Sequence, residues 1–227
     1  MNPALTAAMT ARMILEAGAV KYSAERPYFL SSGWASPVYI DVQRLISFPR
    51  IRAALMDLAS QTVLSNVGFE RFDTVAGVES SGIAYAAWIA ERLSLPLQYV
   101  RRRPRGFGRE AQIEGTLRPG ARVLLVDDIS TDGRSKIELA RALRAMEAQV
   151  DHVLVMFFYD VFAEARSLLA ELRVNLHHLA TWRDVLAEAR ASGYLAGAAA
   201  DDVQRFIDDP ARWSLDHGGI GAFPRTG

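Results

Sequence analysis

Apolar segments of strand length alternate with segments of helical period along most of this chain, and this alternation limits the fold more than any other feature. Such a pattern favours an α/β fold, in which a parallel sheet is covered by helices on both faces. The predicted strands are residues 73–78, 97–100, 122–127, 152–159 and 176–180. The predicted helices are residues 3–16, 51–64, 82–93, 135–147, 163–172 and 181–191, the last with Thr181 as its N-cap.

A chain of 227 residues with 50% hydrophobic content can bury one substantial core, so the sequence predicts a single domain over residues 1–227. Within it we expect an N-terminal helix and a small segment after it, together residues 1–48, a core over 49–191, and a helical extension over 192–227. The segment between the first helix and the core, residues 17–48, is called the hood below.

Charge and composition exclude several classes of partner and site. The 26 basic and 26 acidic residues give a formal net charge of zero, which argues against a nucleic-acid or anionic-membrane surface. The absence of cysteine excludes disulfides, zinc–thiolate sites and a cysteine nucleophile. No apolar run approaches the roughly 18 residues of a membrane span, so we expect a cytoplasmic protein with no membrane partner. Lys21 and Lys136 are the only lysines, and all other basic residues are arginine.

The segment VLLVDDISTDGRSK, residues 123–136, is the strongest candidate for a binding site. Asp127 and Asp128 fall at the predicted carboxyl end of a buried strand, the edge where open α/β sheets bind ligands. Two adjacent carboxylates at a strand-to-loop junction can each accept a hydrogen bond from one of two neighbouring hydroxyls, such as those of a ribose. The following STDGRS supplies hydroxyls, a glycine and the first amides of a helix, which together can cradle a phosphate. The alternative interpretation is a solvated acidic turn followed by an ordinary helix cap.

This segment resembles the phosphoribosyl-pyrophosphate motif of type I phosphoribosyltransferases: an apolar strand, two acids, two variable residues, Thr, one residue, Gly, one residue and Ser. Two further segments narrow the resemblance to the orotate phosphoribosyltransferase family. FLSSGWASPVYID (29–41) is similar to the family's base-binding segment. VAGVESSGIAYAAWIAERLSLPLQYVRRRPRGFG (75–108) is similar to its pyrophosphate loop, helix, strand and mobile loop. The resemblance spans about residues 10–190.

The resemblance implies a type I phosphoribosyltransferase fold, with a central parallel sheet flanked by helices and a small N-terminal hood. It also implies an enzyme, a pentosyltransferase in pyrimidine biosynthesis. Orotate would displace pyrophosphate from phosphoribosyl pyrophosphate and give orotidine 5′-monophosphate. No nucleophilic side chain is needed, because the protein has only to position the reactants and neutralise the leaving group.

The site residues carried over from the family fall into four groups. The ribose and 5′-phosphate would be held by Asp127, Asp128, Ser130, Thr131, Asp132, Gly133, Arg134 and Ser135. Pyrophosphate would be held by Glu79, Ser80, Ser81, Gly82, Arg101, Arg102 and Arg105. The base would contact Ser31, Trp34, Tyr39, Ile40 and Thr131. The catalytic set would be Asp128, Asp132 and Arg105. From the residues alone, Asp132 is either a local cap of the following helix or a proton acceptor, and Trp34 is either a stacking partner of the base or a hydrophobic lid.

The resemblance further implies Mg²⁺ as the cofactor, held mainly by substrate oxygens and not by protein ligands. It implies a homodimer with shared active sites, in which part of the loop at residues 101–115 closes over the neighbouring subunit's site. The small-molecule partners would be phosphoribosyl pyrophosphate and orotate.

Several residues depart from the family pattern. Ser31 and Ser81 stand where the family commonly has lysine, and Phe107 stands where its mobile loop has histidine. Arg134 is larger than the usual residue, and FFYDVF (157–162) lacks an arginine that many members place there. Two alternatives therefore stay open: a phosphoribosyltransferase for another base, and a non-catalytic relative that binds nucleotides or phosphoribosyl pyrophosphate. A receiver-type signalling domain fits less well, because its acidic pair would lie near the N-terminus.

Overall fold

The structure is a computed structural model of the chain and describes residues 2–23, 25–103 and 112–223. Its centre is a six-stranded sheet formed by β5 (Thr74–Val78), β6 (Leu97–Val100), β7 (Ile113–Glu114), β8 (Arg122–Ser130), β9 (Gln149–Phe158) and β10 (Asn175–Thr181). The strand order is β10-β9-β8-β5-β6-β7; β5, β6, β8, β9 and β10 are parallel, and the edge strand β7 is antiparallel to β6. The predicted α/β class and central sheet are confirmed.

Helices cover both faces of this sheet. They are α1 (Pro3–Glu16), α2 (Pro49–Asn66), α3 (Ser81–Leu93), α4 (Arg134–Arg144), α5 (Ala163–Glu171), α6 (Trp182–Ala191), α7 (Gly197–Asp208) and α8 (Pro210–Asp216). Thr181 caps α6 through a reciprocal capping box with Asp184, as the sequence predicts.

Three predicted boundaries are wrong by three residues: the end of α4, the end of β8 and the start of β9, which begins at Gln149 instead of residue 152. Helix α4 ends at Arg144 instead of residue 147, because the chain turns there and Glu147 adopts a left-handed backbone conformation with φ of 65°. Strand β8 continues to Ser130 instead of ending at Asp127, because β9 pairs with it as far as the contact of Ser130 with Phe158.

The side chains of β8 alternate between two hydrophobic clusters, one on each face of the sheet. Val123 and Leu125 pack in the cluster that contains the apolar residues of α4 and α5. Leu124 and Val126 pack in the larger cluster, which contains residues of α2, α3, α6 and the hood. This alternation fixes which way the next side chains of the strand point.

The hood contains two small antiparallel pairs and a short 3-10 helix. Strand β1 (Val20–Tyr22) pairs with β4 (Val38–Ile40), β2 (Tyr28–Phe29) pairs with β3 (Ala35–Ser36), and the 3-10 helix covers Val42–Ser47. The C-terminal extension packs against the hood, since the Ser214 hydroxyl accepts a hydrogen bond from the Ala35 amide (2.9 Å). Within the described residues, no helix combines the length and apolar character needed to cross a bilayer.

Candidate active site

Asp127 and Asp128 lie in the part of β8 that extends beyond its neighbour β5. Pairing of β5 with β8 ends at Val126, whereas pairing of β9 with β8 continues through Ser130. The prediction that the two carboxylates sit at a strand-to-loop junction is therefore wrong. Both residues belong to a regular strand whose β5 side is open at this level, and the amino end of α3 packs there.

Because the two residues are consecutive in a strand, their side chains point to opposite faces of the sheet. Asp127 continues the series of Val123 and Leu125 toward α4, where it forms an ion pair with the ammonium group of Lys136. Asp128 continues the series of Leu124 and Val126 toward α3 and the hood. One oxygen of each carboxylate nevertheless lies within hydrogen-bond distance of the same Ser81 hydroxyl, and the pairing of the two carboxylates with a diol stays a prediction.

The hydrogen bonds make the two carboxylates unequal. Asp127 is fully buried, and its Oδ1 accepts from the Ser81 hydroxyl (3.2 Å) and the Asp128 amide (2.9 Å), while its Oδ2 accepts from Lys136. The Oδ1 of Asp128 accepts from Ser81 (2.9 Å) and from the Ile129 amide (2.9 Å). Its Oδ2 has no partner among the described residues. Asp128 is thus the carboxylate with an oxygen available for a ligand.

Burial raises the pKa of Asp128 to about 7, and the nearby charge of Asp127 adds to the shift, whereas Ser81 and Lys136 act in the opposite direction. Asp128 also raises the pKa of two tyrosines that face it, Tyr39 in the hood and Tyr85 in α3, although desolvation is the larger cause for both. The hood side of β8 therefore holds a carboxyl group that titrates near neutral pH.

Gly82 allows α3 to approach these carboxylates. A Cβ atom at Gly82 would lie 2.6 Å from the carbonyl oxygen of Val126 and 2.9 Å from the Cα of Asp127. Both are backbone atoms that cannot move aside easily. Only glycine therefore permits the contact of helix and strand that brings the hydroxyl of the neighbouring Ser81 to both carboxylates.

The loop between β8 and α4 has the features of an anion cradle. Gly133 caps α4 with φ of 79°, a conformation that favours glycine. The amides of Thr131, Asp132 and Gly133 have no hydrogen-bond partner within the described part of the chain. Asp132 accepts from the amide of Arg134 (3.1 Å) and from its Nε (3.0 Å). The carboxylate of Asp132 is thus engaged locally at the start of α4.

Two arginines follow β6 and are both bound to Glu79, which follows β5. Arg101 pairs with Glu79 (3.1 Å) and with Glu114 (2.6 Å), and its side chain is 11% exposed. The Nε of Arg102 donates to the carbonyl oxygen of Glu79 (2.8 Å). These contacts place two cations beside the loop that joins β5 to α3, with acidic groups as their partners in this structure.

Comparisons with known proteins agree with this geometry. Residues 42–166 match the family model described as a phosphoribosyl transferase domain. The chain is 51% identical to the orotate phosphoribosyltransferase of Ruegeria sp. (strain TM1040) over 91% of this chain and 92% of that protein. It is 49% identical to that of Sinorhizobium medicae (strain WSM419) over 96% of this chain and 94% of that protein.

A solved structure agrees with the sequence relatives. The crystal structure of orotate phosphoribosyltransferase from Aeropyrum pernix superposes with a TM-score of 0.68 at 33% identity, covering 79% of this chain and 98% of that one. The chain belongs to the orotate phosphoribosyltransferase family. Its sheet, hood and β8 loop are therefore those of a type I phosphoribosyltransferase.

The residues expected to contact the base differ widely in their exposure. Tyr39 is 40% exposed, and the charge of Asp128 contributes to its raised pKa. Ile40 is 2% exposed and lies in the core. Ser31 is exposed in the turn between β2 and β3. Trp34 is 2% exposed, and its ring packs on Phe162 (4.6 Å between centroids) and Phe223 (5.3 Å). A base cannot reach the faces of Trp34 in this arrangement, so the stacking role is withdrawn in favour of packing beneath the hood.

Other predicted site residues have the following environments. The Ser130 hydroxyl is buried without a partner among the described residues, and the hydroxyl of Ser135 accepts from Lys136 (3.1 Å). Ser80 precedes α3 as its N-cap residue. Arg105 and Phe107 lie outside the described residues.

Sequence reasoning missed Lys136 as a member of the site. It is 3% exposed, and its only charged partner within the described residues is Asp127. A signal was present in the sequence, because Lys136 is one of two lysines in a chain whose other basic residues are arginine. Phe223 was missed as well; its ring lies 4.5 Å from the Arg134 guanidinium and links the C-terminal segment to the cradle.

Proposed function

We propose that this protein transfers the phosphoribosyl group of 5-phosphoribosyl 1-pyrophosphate to orotate, giving orotidine 5′-monophosphate and pyrophosphate. One observation carries the proposal: an available carboxylate oxygen on Asp128 and three open amides at residues 131–133 lie at the carboxyl edge of the sheet. The near full-length similarity to proteins named orotate phosphoribosyltransferase supports orotate as the base.

In the reaction, the bond from the anomeric carbon to pyrophosphate breaks and a bond to N1 of orotate forms, with loss of the N1 proton. Positive charge spreads over the ribose ring as the bond breaks, and negative charge grows on the departing pyrophosphate. We assign Asp128 to a ribose hydroxyl as an acceptor, and its ionised form is the stronger acceptor. The ionised Asp128 also lies where it can favour the developing positive charge.

We assign the 5′-phosphate to the amides and hydroxyls of residues 131–135. The start of α4 favours an anion there, since the first amides of a helix lack partners. Asp132 acts in this proposal through Arg134, which it holds at the cradle, and not as a direct ligand of phosphate, because two anions would repel. This is the local capping role that the sequence left open.

We assign pyrophosphate to the loop of residues 79–82 and to Arg101, Arg102 and Arg105. Phosphate oxygens would replace Glu79 and Glu114 as the acceptors of Arg101, exchanging one set of charge-assisted hydrogen bonds for another. The base would enter beside Tyr39, an exposed aromatic ring whose pKa is raised by burial and by the charges of Asp41 and Asp128. Ser31 and Thr131 remain proposed polar contacts of the base.

Mg²⁺ is the proposed cofactor, and the donor set indicates how it would be held. Among the described residues, no three His, Cys, Asp or Glu side chains are grouped so that they could hold a metal ion. This set fits an ion carried by substrate, because Mg²⁺ binds phosphate oxygens readily and keeps much of its water. When bound, it would neutralise charge on pyrophosphate.

We further propose a homodimer that shares its active sites, in the cytoplasm. The support is the family's architecture and the arginine-rich segment 101–115, of which residues 104–111 lie outside the described part. Hybrid dimers of an Asp128→Ala chain and an Arg105→Ala chain should recover part of the activity that each homodimer lacks. Confirmed hybrid dimers with no recovery would count against shared sites.

The test of the function is release of pyrophosphate from phosphoribosyl pyrophosphate and Mg²⁺ in the presence of orotate, with uracil and adenine as competing bases. We expect release that depends on orotate. Release with another base alone would assign a different phosphoribosyltransferase. Binding of phosphoribosyl pyrophosphate without turnover of any base would assign the non-catalytic role.

A further inference from the structure

Arg134, at the start of α4, is held beside the cradle by two groups of different kinds. Its Nε donates to a carboxylate oxygen of Asp132 (3.0 Å), and its Cζ atom lies over the ring of Phe223, 4.5 Å from the ring centre. An aromatic ring attracts a cation over its face, and a planar guanidinium group can stack there while it keeps its hydrogen bonds. The guanidinium group is thus fixed at one edge by a carboxylate and across one face by a ring.

The terminal nitrogens of Arg134 remain available for a ligand. Neither Nη atom has a hydrogen-bond partner within the described part of the chain, and the side chain is partly exposed. A guanidinium group binds phosphate oxygens through parallel charge-assisted hydrogen bonds. Arg134 can therefore add a positive charge and oriented donors to the open amides of residues 131–133.

The segment that carries Phe223 is anchored on the hood. The amide of Ile220 donates to the carbonyl oxygen of Gly33 (3.1 Å), and the Ile220 side chain lies against the same glycine. A Cβ atom at Gly219 would lie 2.8 Å from the Cβ of Ala35, so only glycine lets the segment pass this close to the hood. The position of Phe223 is therefore set by contacts that do not involve Arg134.

Two further aromatic side chains fix the Phe223 ring. The ring centre lies 5.3 Å from that of Trp34 in the hood and 5.6 Å from that of Phe162, the residue before α5. Both of these side chains are buried. A continuous series of contacts therefore leads from the hood through Phe223 to Arg134 at the cradle.

We propose that Phe223 is a positioning residue: its ring holds the Arg134 guanidinium group beside the cradle, where that group binds the 5′-phosphate of the substrate. This inference rests on the proposed function for the identity of the anion. The larger residue at position 134 and the ring from the C-terminal extension then act together. Without the ring, Arg134 keeps only its contacts with Asp132, and binding has to order a long side chain at a cost in conformational entropy.

The test compares kcat with the KM for phosphoribosyl pyrophosphate in the wild type, Phe223→Leu and Phe223→Tyr. Phe223→Leu keeps an apolar side chain but removes the ring, so KM should rise about fivefold, the scale of one cation–π contact. The kcat should stay near the wild-type value, because the 5′-phosphate is bound equally in the ground state and the transition state. Phe223→Tyr keeps the ring and should keep the wild-type KM. Phe69→Leu removes an exposed ring after α2 and should change neither constant.

Arg134→Met separates positioning from a general effect on folding. It should raise KM at least as much as Phe223→Leu does. In Arg134→Met/Phe223→Leu the second substitution should add nothing, because the ring then has no cation to hold. Additive increases, or an unchanged KM in either folded single variant, would overturn the proposal. If Phe223→Leu does not fold, Phe223→Met replaces it in the same comparison, since the longer side chain fills more of the space of the ring.

The outcome can be told apart from failure of the proposed function. If the wild type turns over no base, calorimetry with Mg²⁺ measures the Kd for phosphoribosyl pyrophosphate in the same variants. The weaker binding of Phe223→Leu and the lack of additivity with Arg134→Met are expected there too. Their absence would overturn the inference whether or not orotate is a substrate. Turnover of orotate with additive effects of the two substitutions would overturn the inference and leave the proposed function in place.

Discussion

Each end of strand β8 supplies one partner of an aspartate–cation pair, Arg122 at the amino end and Asp127 at the carboxyl end, and the two pairs have opposite properties. At the amino end, Asp73 pairs with Arg122 (2.7 Å), and the two side chains are 46% and 41% exposed. At the carboxyl end, Asp127 and Lys136 are 1% and 4% exposed. Hydrogen bonds from Arg122 lower the pKa of Asp73 to about 2, whereas burial raises that of Asp128 to about 7. The exposed pair therefore keeps Asp73 ionised at neutral pH, whereas in the buried cluster Asp128 changes its charge near neutral pH.

This contrast is the basis for proposing that a ligand binds at one end of the strand and not at the other. The carboxylate of Asp73 has both oxygens occupied by Arg122 and stays ionised at neutral pH. Asp128 has an oxygen without a partner within the described residues and faces the hood. Solvated surface pairs contribute little to stability, and buried groups are costly unless they are paired. The cost at the carboxyl end is consistent with selection for a site.

The largest expected effect comes from removing each carboxylate in turn. Asp128→Asn should lower kcat/KM for phosphoribosyl pyrophosphate by about 10² or more, the scale of one lost preorganised electrostatic contact. Asp73→Asn is the matched control at the other end of the strand and should leave kcat/KM near the wild-type value. Steady-state kinetics on both variants measures the difference. Equal losses in the two would mean that the ends of β8 do not differ in function.

The second effect is an opposite pH dependence of stability at the two ends. Asp128 has a pKa of about 7 in the folded protein, above its ordinary value of 3.8. The folded state therefore holds a proton that the unfolded state loses, and the stability from this proton is lost as pH rises through 7. Asp73 has a pKa of about 2 in the folded protein, below its ordinary value of 3.8. The stability that its ionised form gives the folded state is present above pH 3.8 and is lost as pH falls toward 2.

Urea unfolding of the wild type, Asp128→Asn and Asp73→Asn across pH measures this dependence. The free energy of unfolding of the wild type relative to Asp128→Asn should increase by roughly 4 kcal/mol from pH 8 to pH 4, since each pKa unit corresponds to about 1.4 kcal/mol. The free energy of unfolding of the wild type relative to Asp73→Asn should decrease only as pH falls below about 4. The same sign of slope for both would contradict the assignment.

The third and smallest effect concerns the glycines near the two ends. Gly82→Ala places a Cβ against the backbone of Val126 and Asp127 and should cost about 2 kcal/mol of stability, in the range of overpacked cores. Activity should fall too, because Ser81 moves with α3. Gly120→Ala has no atom within 4 Å of its Cβ and meets only the strain of a φ of 75°, so its cost should be nearer 1 kcal/mol. Thermal unfolding and kinetics compare the two, and a larger cost at Gly120 would be the contrary result.

Much of the fold follows from periodicity, since the central strands β5, β8 and β9 contain buried apolar runs and the Thr181 cap is a local pattern. The extension of β8 to Ser130 could not be predicted in this way. It depends on pairing with β9, a non-local contact that keeps two aspartates within a strand. The two- and three-residue strands of the hood are too short to show a period.

The sequence identified the candidate site but did not predict how its charges are divided. The DDISTDG pattern identifies the segment, because its residue types are adjacent in the chain. The pairing of Asp127 with Lys136 depends on the direction of alternation in β8 and on the face that α4 covers. Likewise, Arg101 was predicted as a ligand of pyrophosphate, whereas its bond to Glu79 arises only where β5 and β6 lie side by side. Such relations are properties of packing.

Hydrogen exchange of the backbone amides, followed by mass spectrometry with and without phosphoribosyl pyrophosphate and Mg²⁺, tests the central claim most directly. The claim is that the carboxyl end of β8 binds the ligand and the amino end does not. Peptides covering residues 127–136 and 78–84 should become protected on binding, because the open amides of residues 131–133 gain phosphate as an acceptor. Peptides covering residues 116–122 should exchange as before. Protection confined to the amino end, or binding without protection at residues 127–136, would contradict the account.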